Sequence, residues 1–221
     1  MKRLAISFLL ICLALGTASA QNLLVNGDFN TPNTAGPNPA PAPWSTWSWP
    51  DWNNAWANQQ NDASAFDGTD YMAVGNGTGS GYSTGFYQIV GASPGATYDL
   101  SADSGAQAWW RPEGEMRLIF LDAGNNVLAQ NTVVTVDPNS WNAYDQGQPW
   151  GLFSLTATAP ANTTQAKVEF VMNGGQVAAW GGGTVWFDNA SLTEVPEPGM
   201  LTLAAAGAVL LLAHTRKGRR A

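Results

Sequence analysis

From residue 21 to residue 195 no stretch of the chain carries an apolar stripe at helical spacing, whereas period-two alternation recurs. Tyr98, Leu100 and Ala102 alternate with Asp99, Ser101 and Asp103. Phe153, Leu155 and Ala157 alternate with Ser154, Thr156 and Thr158, and Val168, Phe170 and Met172 with Lys167 and Glu169. Successive strand side chains point to opposite faces, so such segments read as strands with one face buried. Met116 to Leu121 is nearly all apolar, as a strand covered on both faces would be. Strand-like runs fall at about 69–75, 83–90, 96–103, 116–122, 127–135, 151–158, 165–172 and 184–193. Asn26-Gly27, Pro94-Gly95 and Ala123-Gly124-Asn125-Asn126 are turn signals, the last predicting a hairpin. Residues 44–64, rich in Trp, Asn and Gln, have no clear period and read as loop. Many short strands between frequent turns predict an all-β sandwich.

This segment also lacks whole classes of chemistry. The only cysteine, Cys12, and the only histidine, His214, lie outside it. Disulfide staples, a Ser-His-Asp or Cys-His apparatus and the usual zinc sites are therefore excluded from it. About 175 residues suffice to bury a core without staples. Arg111, Arg117 and Lys167 are its only cations against fifteen acids, a balance of −12. A surface so acidic repels nucleic acid and anionic lipid, so nucleic acid is not an expected partner.

The two ends read differently. Met1-Lys2-Arg3, the apolar run Leu4 to Leu15 and Ala18-Ser19-Ala20 make residues 1–20 a predicted signal peptide with a short helix. At the other end, Val195-Pro196-Glu197-Pro198 precedes the apolar run Met200 to Ala213, and Arg216, Lys217, Arg219 and Arg220 follow. That run would span roughly 21 Å as a helix, short for a bilayer core of about 30 Å, unless extended over 199–215. Residues 195–221, with a basic end at 216–221, resemble the PEP-CTERM sorting signal of Gram-negative bacteria. The resemblance implies export, membrane retention through a C-terminal transmembrane helix, and processing near the Pro-Glu-Pro by an exosortase-type enzyme. Residues 21–194 then form the exported domain.

Four motifs within that domain resemble carbohydrate-binding modules with a galactose-binding-like jelly roll. They are Asn26-Gly27-Asp28-Phe29-Asn30, Tyr87-Gln88-Ile89-Val90 with Pro94 to Ser101, Trp150 to Pro160, and Val185 to Leu192. The family often holds a structural calcium where first and last strands meet. The resemblance therefore implies Ca²⁺ held by Asp188, with Asp28 and Asn30 completing the site, although the family usually has Glu where this chain has Asn30. Alternation puts Asp188 on the face of Ala190 and Leu192, partly buried with no nearby Lys or Arg. A turn cap bonded to backbone N–H groups is the other reading of Asp188.

The remaining signal is aromatic. Trp44, Trp47, Trp49, Trp52 and Trp56 are interleaved with Asn, Gln and Asp, and Trp109-Trp110 lie beside Gln107 and Arg111. Indole faces stack on pyranose rings while amides and carboxylates bond the hydroxyls. These nine residues are the predicted ligand-binding set, with packing of the open sandwich edge as the competing reading of the first five. Trp150 and Trp186 read as core residues. Glu113 and Glu115 share a strand face, an arrangement a glycoside hydrolase could use but commoner as solubilising charge. The expectation is thus a non-catalytic binder of extracellular polysaccharide, held at the envelope or in the matrix of a Gram-negative bacterium. An adhesive biofilm matrix protein without a sugar pocket is the alternative, and a glycan-active hydrolase the remote one.

Overall fold

The strands predicted from alternation all form. A computed structural model describes residues 21–31, 40–49, 55–60, 66–76, 83–106, 113–137, 148–173 and 183–196. The signal-peptide reading and nearly all of the sorting tail fall outside these residues, as do Trp52, Gln107, Trp109, Trp110 and Arg111. Among the described residues ten strands appear: β1 (Ser45–Trp49), β2 (Ala55–Gln60), β3 (Tyr71–Asn76), β4 (Ser83–Gly91), β5 (Thr97–Ala106), β6 (Glu113–Leu121), β7 (Val127–Val136), β8 (Gln148–Thr158), β9 (Gln165–Asn173) and β10 (Gly183–Val195). No helix occurs among the described residues.

The strands make two antiparallel five-stranded sheets, ordered β1-β4-β9-β6-β7 and β2-β3-β10-β5-β8. The architecture is that of a jelly-roll sandwich, and Asn22–Glu194 forms one unit. Alternation decides the filling between the sheets. Phe86, Phe170, Met116, Leu118 and Phe120 come from the first sheet, and Met72, Val74, Leu100, Val185 and Phe187 from the second, all fully buried. Phe86 and Phe170 stack at 5.1 Å, and Phe187 closes on Phe170 at 4.8 Å.

The opening motif is a staple rather than a strand. Asn26 and Phe29 both take left-handed backbone (φ 53°), which turns the Phe29 ring inward, 5.3 Å from Trp44 and 5.6 Å from Phe86. A Cβ at Gly27 would lie 2.1 Å from the Ala190 carbonyl oxygen, so only glycine fits this close approach. Amide side chains sew the segment down. Gln88 donates to the Val25 carbonyl and accepts from its N–H, both at 2.9 Å. Asn22 donates to the Ala190 carbonyl and accepts from the Leu192 N–H. The predicted hairpin joins β6 to β7, with Asn125 left-handed (φ 62°) and Asp122 Oδ1 accepting the Asn126 N–H at 2.9 Å.

β1 and β2 are the two strands that the sequence pattern does not announce. They pair with different sheets, β1 with β4 and β2 with β3. The tryptophan-rich segment read as loop therefore crosses from one sheet to the other.

Candidate functional site: the outer face of the first sheet

Because residues 44–60 change sheets, their tryptophans part company. Trp44 is a core residue, 5% exposed, its ring 5.3 Å from Phe86 and 5.9 Å from Phe170, its Nε1 donating to the Asn26 carbonyl. It has no face left for a ligand, so its assignment to the binding set is corrected to packing. Trp56 is half-buried and lies over Gly75, on the outer face of the second sheet. Trp47 and Trp49, two apart on β1, both face outward from the first sheet. Trp47 lies over Gly85, where an added Cβ would meet its ring at 3.0 Å. Trp49 ends the strand 64% exposed.

Register shows what shares that face. Facing pairs lie on the same side of a sheet. Trp49 faces Ser83, Ser83 faces Asn173, and Asn173 faces Glu113. One row on, Trp47, Gly85, Val171 and Glu115 line up across the same four strands, followed by Ser45, Tyr87, Glu169 and Arg117. The face thus carries indoles at the β1 edge and charge at its centre.

The charges are fixed in place. Arg117 Nε donates to Glu115 Oε2 at 2.6 Å, and its Nη1 to Glu169 Oε2 at 3.2 Å. Lys167 Nζ bonds Glu169 Oε1 at 2.5 Å and sits 4.3 Å from the Tyr87 ring centre, a cation–π contact. Asn173 Nδ2 donates to Glu115 Oε1 at 2.6 Å and to Glu113 Oε1 at 3.3 Å, while its Oδ1 accepts from Ser83 Oγ. Glu169 is only 4% exposed. Burial, ahead of repulsion from Glu115, pushes the Glu113 carboxyl above the ordinary glutamate range. Glu113 and Glu115 therefore belong to a partly desolvated network, not to a plain solubilising surface. A buried ion network gains little net stability after its desolvation cost. Its physical effect is to hold polar groups in one geometry.

The outer face of the second sheet carries other aromatics. Trp150 and Trp186, predicted as core, instead stack on each other at 5.8 Å, with Tyr71 edge-on to both and Phe66 edge-on to Trp150. Trp186 lies outside because Val185 and Phe187 on either side of it fill the core.

Asp188 shares that outer parity. Asn189 is left-handed (φ 49°), which breaks the alternation and returns Ala190 and Leu192 to the core, so Asp188 does not share their face as expected. Asp188 is nevertheless fully buried. Its Oδ1 accepts the Asn189 N–H at 2.7 Å, while Oδ2 has no partner. Burial raises its pKa to about 7, reinforced by Asp67, Asp103 and Asp28. The only cations among the described residues, Arg117 and Lys167, belong to the other sheet's network.

This donor set fits a calcium ion in part. Asp188 offers an unpaired buried oxygen. Asn30 Oδ1 already accepts the Asp70 N–H at 3.1 Å. Asp28 is exposed and caps the Asn30 N–H at 3.4 Å. Among the described residues no three carboxylate, His or Cys side chains converge. The opening motif still offers the Asp28 carboxylate and main-chain carbonyls, beside an open depression of about 340 Å³ lined by Asn22, Asn26, Asp28 and Asn189.

No family model matches the chain, and no curated protein sequence does. Solved structures do resemble it. The enzymatically active domain of bacteriophage CBA120 tailspike protein 4 aligns over 79% of this chain at 15% identity, TM-score 0.58, and this chain spans only 21% of that one. TmCBM61, solved with β-1,4-galactotriose, aligns over 80% of this chain and 100% of its own at 18% identity, TM-score 0.50. A family 16 carbohydrate-binding module aligns over 78% and 100% at 20% identity, TM-score 0.50. Likeness at these identities is likeness of fold: the chain folds as a β-sandwich of the kind found in carbohydrate-binding modules.

Proposed function

We propose that this protein binds a polysaccharide, without turning it over, across the outer face of the first sheet. One observation carries the reading: Trp47, Trp49 and Tyr87 share that face with a pre-bonded set of amide, carboxylate, guanidinium and ammonium groups. Indoles supply stacking area, and fixed polar groups meet hydroxyls without an ordering cost at the moment of binding. The fold shared with carbohydrate-binding modules supports the same reading. Its non-catalytic character is argued from Glu113 and Glu115. Both bond one amide nitrogen and rise from one side of one strand, whereas hydrolysis needs carboxyl groups flanking the scissile bond.

Export rests on the sequence alone. In this reading residues 1–20 are removed, and Val195-Pro196-Glu197-Pro198 with the apolar span 199–215 engages the membrane and an exosortase-type enzyme of a Gram-negative envelope. We further infer that Asp188 anchors a structural Ca²⁺, with carbonyls of the Asp28–Asn30 segment. The ion would supply the positive charge that its unpaired oxygen lacks.

Affinity electrophoresis of the purified protein through gels of neutral, amino and acidic polysaccharides tests the binding claim. Retention in at least one gel, abolished by Trp49→Ala at unchanged melting temperature, is expected. Equal mobility in every gel would overturn the binding claim and leave an adhesive matrix role. Release of reducing ends from a retained glycan would make the protein an enzyme.

A further inference from the structure

We propose that the glycan taken across this face carries a protonated amine, and that Glu113 receives it. The proposal rests on the binding reading above and names the chemical class of the ligand. Among the described residues three glutamates and two cations occupy the face. Glu169 meets both cations, at 3.2 Å from Arg117 and 2.5 Å from Lys167, and Glu115 meets Arg117 at 2.5 Å. Neither Arg117 nor Lys167 is paired with Glu113. Its hydrogen-bond donor is the Asn173 amide, at 3.3 Å, and that amide lies closer to Glu115. Burial first, then repulsion and a shared hydrogen bond from Glu115 and repulsion from Asp137, displaces the Glu113 carboxyl upward. Among the described residues the network therefore lacks one cation, at the Glu113 end.

That end is placed for a ligand. Glu113 closes the row that begins at the exposed Trp49 and passes through Ser83 and Asn173. Three strand spacings of ~4.8 Å put it roughly 14 Å from the indole. A short oligosaccharide stacked on Trp49 and hydrogen-bonded by Ser83 and Asn173 brings a later ring over Glu113. A ring ammonium brings three donors and the missing charge, forming a charge-assisted hydrogen bond. A neutral hydroxyl leaves the charge unbalanced, and a uronate or sulfate ester adds repulsion. The ligand class is thus a glycan with unacetylated 2-amino sugars.

Calorimetric titration of the full chain at pH 6 and moderate salt with a glucosamine oligomer, its N-acetylated counterpart and a uronate oligomer tests this. The amine oligomer should bind roughly tenfold or more tighter than the acetylated one, the range expected of a hydrogen bond to a charged group. Glu113→Gln should erase that preference at unchanged melting temperature. Asp99→Asn, which removes the same charge from an exposed site on β5, should keep it. Equal affinity of the wild type for amine and acetylated oligomers overturns the proposal while leaving the binding face intact. Equal loss in the Asp99 and Glu113 variants overturns it too, reducing the effect to attraction by an acidic protein. Binding of no glycan at all overturns the underlying reading as well.

Discussion

Asp188 contributes a pH dependence to the stability of this fold, and the sign follows from its burial. Its pKa is pushed up to about 7 in the folded chain from the ordinary aspartate value of 3.8. Below about pH 4 the carboxyl is protonated in both states, and burying it costs little. Between about 4 and 7 the unfolded chain releases the proton while the folded chain keeps it, so stability falls as pH rises. Above about 7 the buried group is ionised and the cost levels off. A gap of about three pKa units corresponds to roughly 4 kcal/mol at ~1.4 kcal/mol per unit. Asp188→Asn removes the charge and keeps an oxygen for the Asn189 N–H. With a chelator present, urea denaturation of the variant and the wild type should agree near pH 4. The variant should become the more stable by up to about 4 kcal/mol at pH 8. Comparing the two proteins cancels the pH dependence of the other acids. Millimolar calcium should then rescue the wild type at pH 8, where the carboxylate is ionised, and leave the variant unmoved. Parallel stability curves for the two proteins from pH 4 to pH 8 would refute the burial argument. A calcium effect of equal size in the variant would refute the ion's placement.

Other perturbations separate packing from binding. Trp44→Ala opens the aromatic core and should cost about 3–5 kcal/mol in denaturant melts. Gly85→Ala would place a methyl 2.5 Å from the Phe170 carbonyl oxygen and 3.0 Å from the Trp47 ring. It should destabilise by about 1–3 kcal/mol and, by displacing Trp47, weaken retention in glycan gels. Glu169→Ala leaves Lys167 and part of Arg117 unpaired beneath the face; a loss of about 3–5 kcal/mol in urea melts is expected of a broken buried pair.

Much of the fold was legible because its strands bury one face each. The eight runs predicted from alternation and turn residues correspond to β3–β10, and the Pro94-Gly95 and Asn125-Asn126 turns lie where left-handed backbone is needed. β1 was not legible because its tryptophans point away from the core, which inverts the usual reading of apolar as inside. β2 alternates small Ala55 and Ala57 inward with Trp56 outward, so the same inversion hid it. The resemblance to carbohydrate-binding modules found the fold, and the fold brought the candidate face together. The individual residues fared less evenly. Trp47 and Trp49 lie on the candidate face, whereas Trp44 serves the core. Glu113 and Glu115 read as solubilising charge, Lys167 and Glu169 as the polar side of an alternating strand, Arg117 as part of a strand covered on both faces, and Asn173 carried no reading. Only cross-strand register, between segments more than fifty residues apart, shows that they converge. One signal was available: Arg117 and Lys167, two of the three cations between residues 21 and 194, both fall on predicted strands. The face of Asp188 was misread because a single left-handed residue, Asn189, resets the parity of β10, and alternation cannot anticipate it.

The most direct test is an NMR titration of the purified protein with any retained glycan, following the indole Nε1–H resonances. The account predicts that Trp47 and Trp49 shift while Trp44, Trp150 and Trp186 stay fixed. Shifts confined to Trp150 and Trp186 would move the ligand to the second sheet and contradict the account.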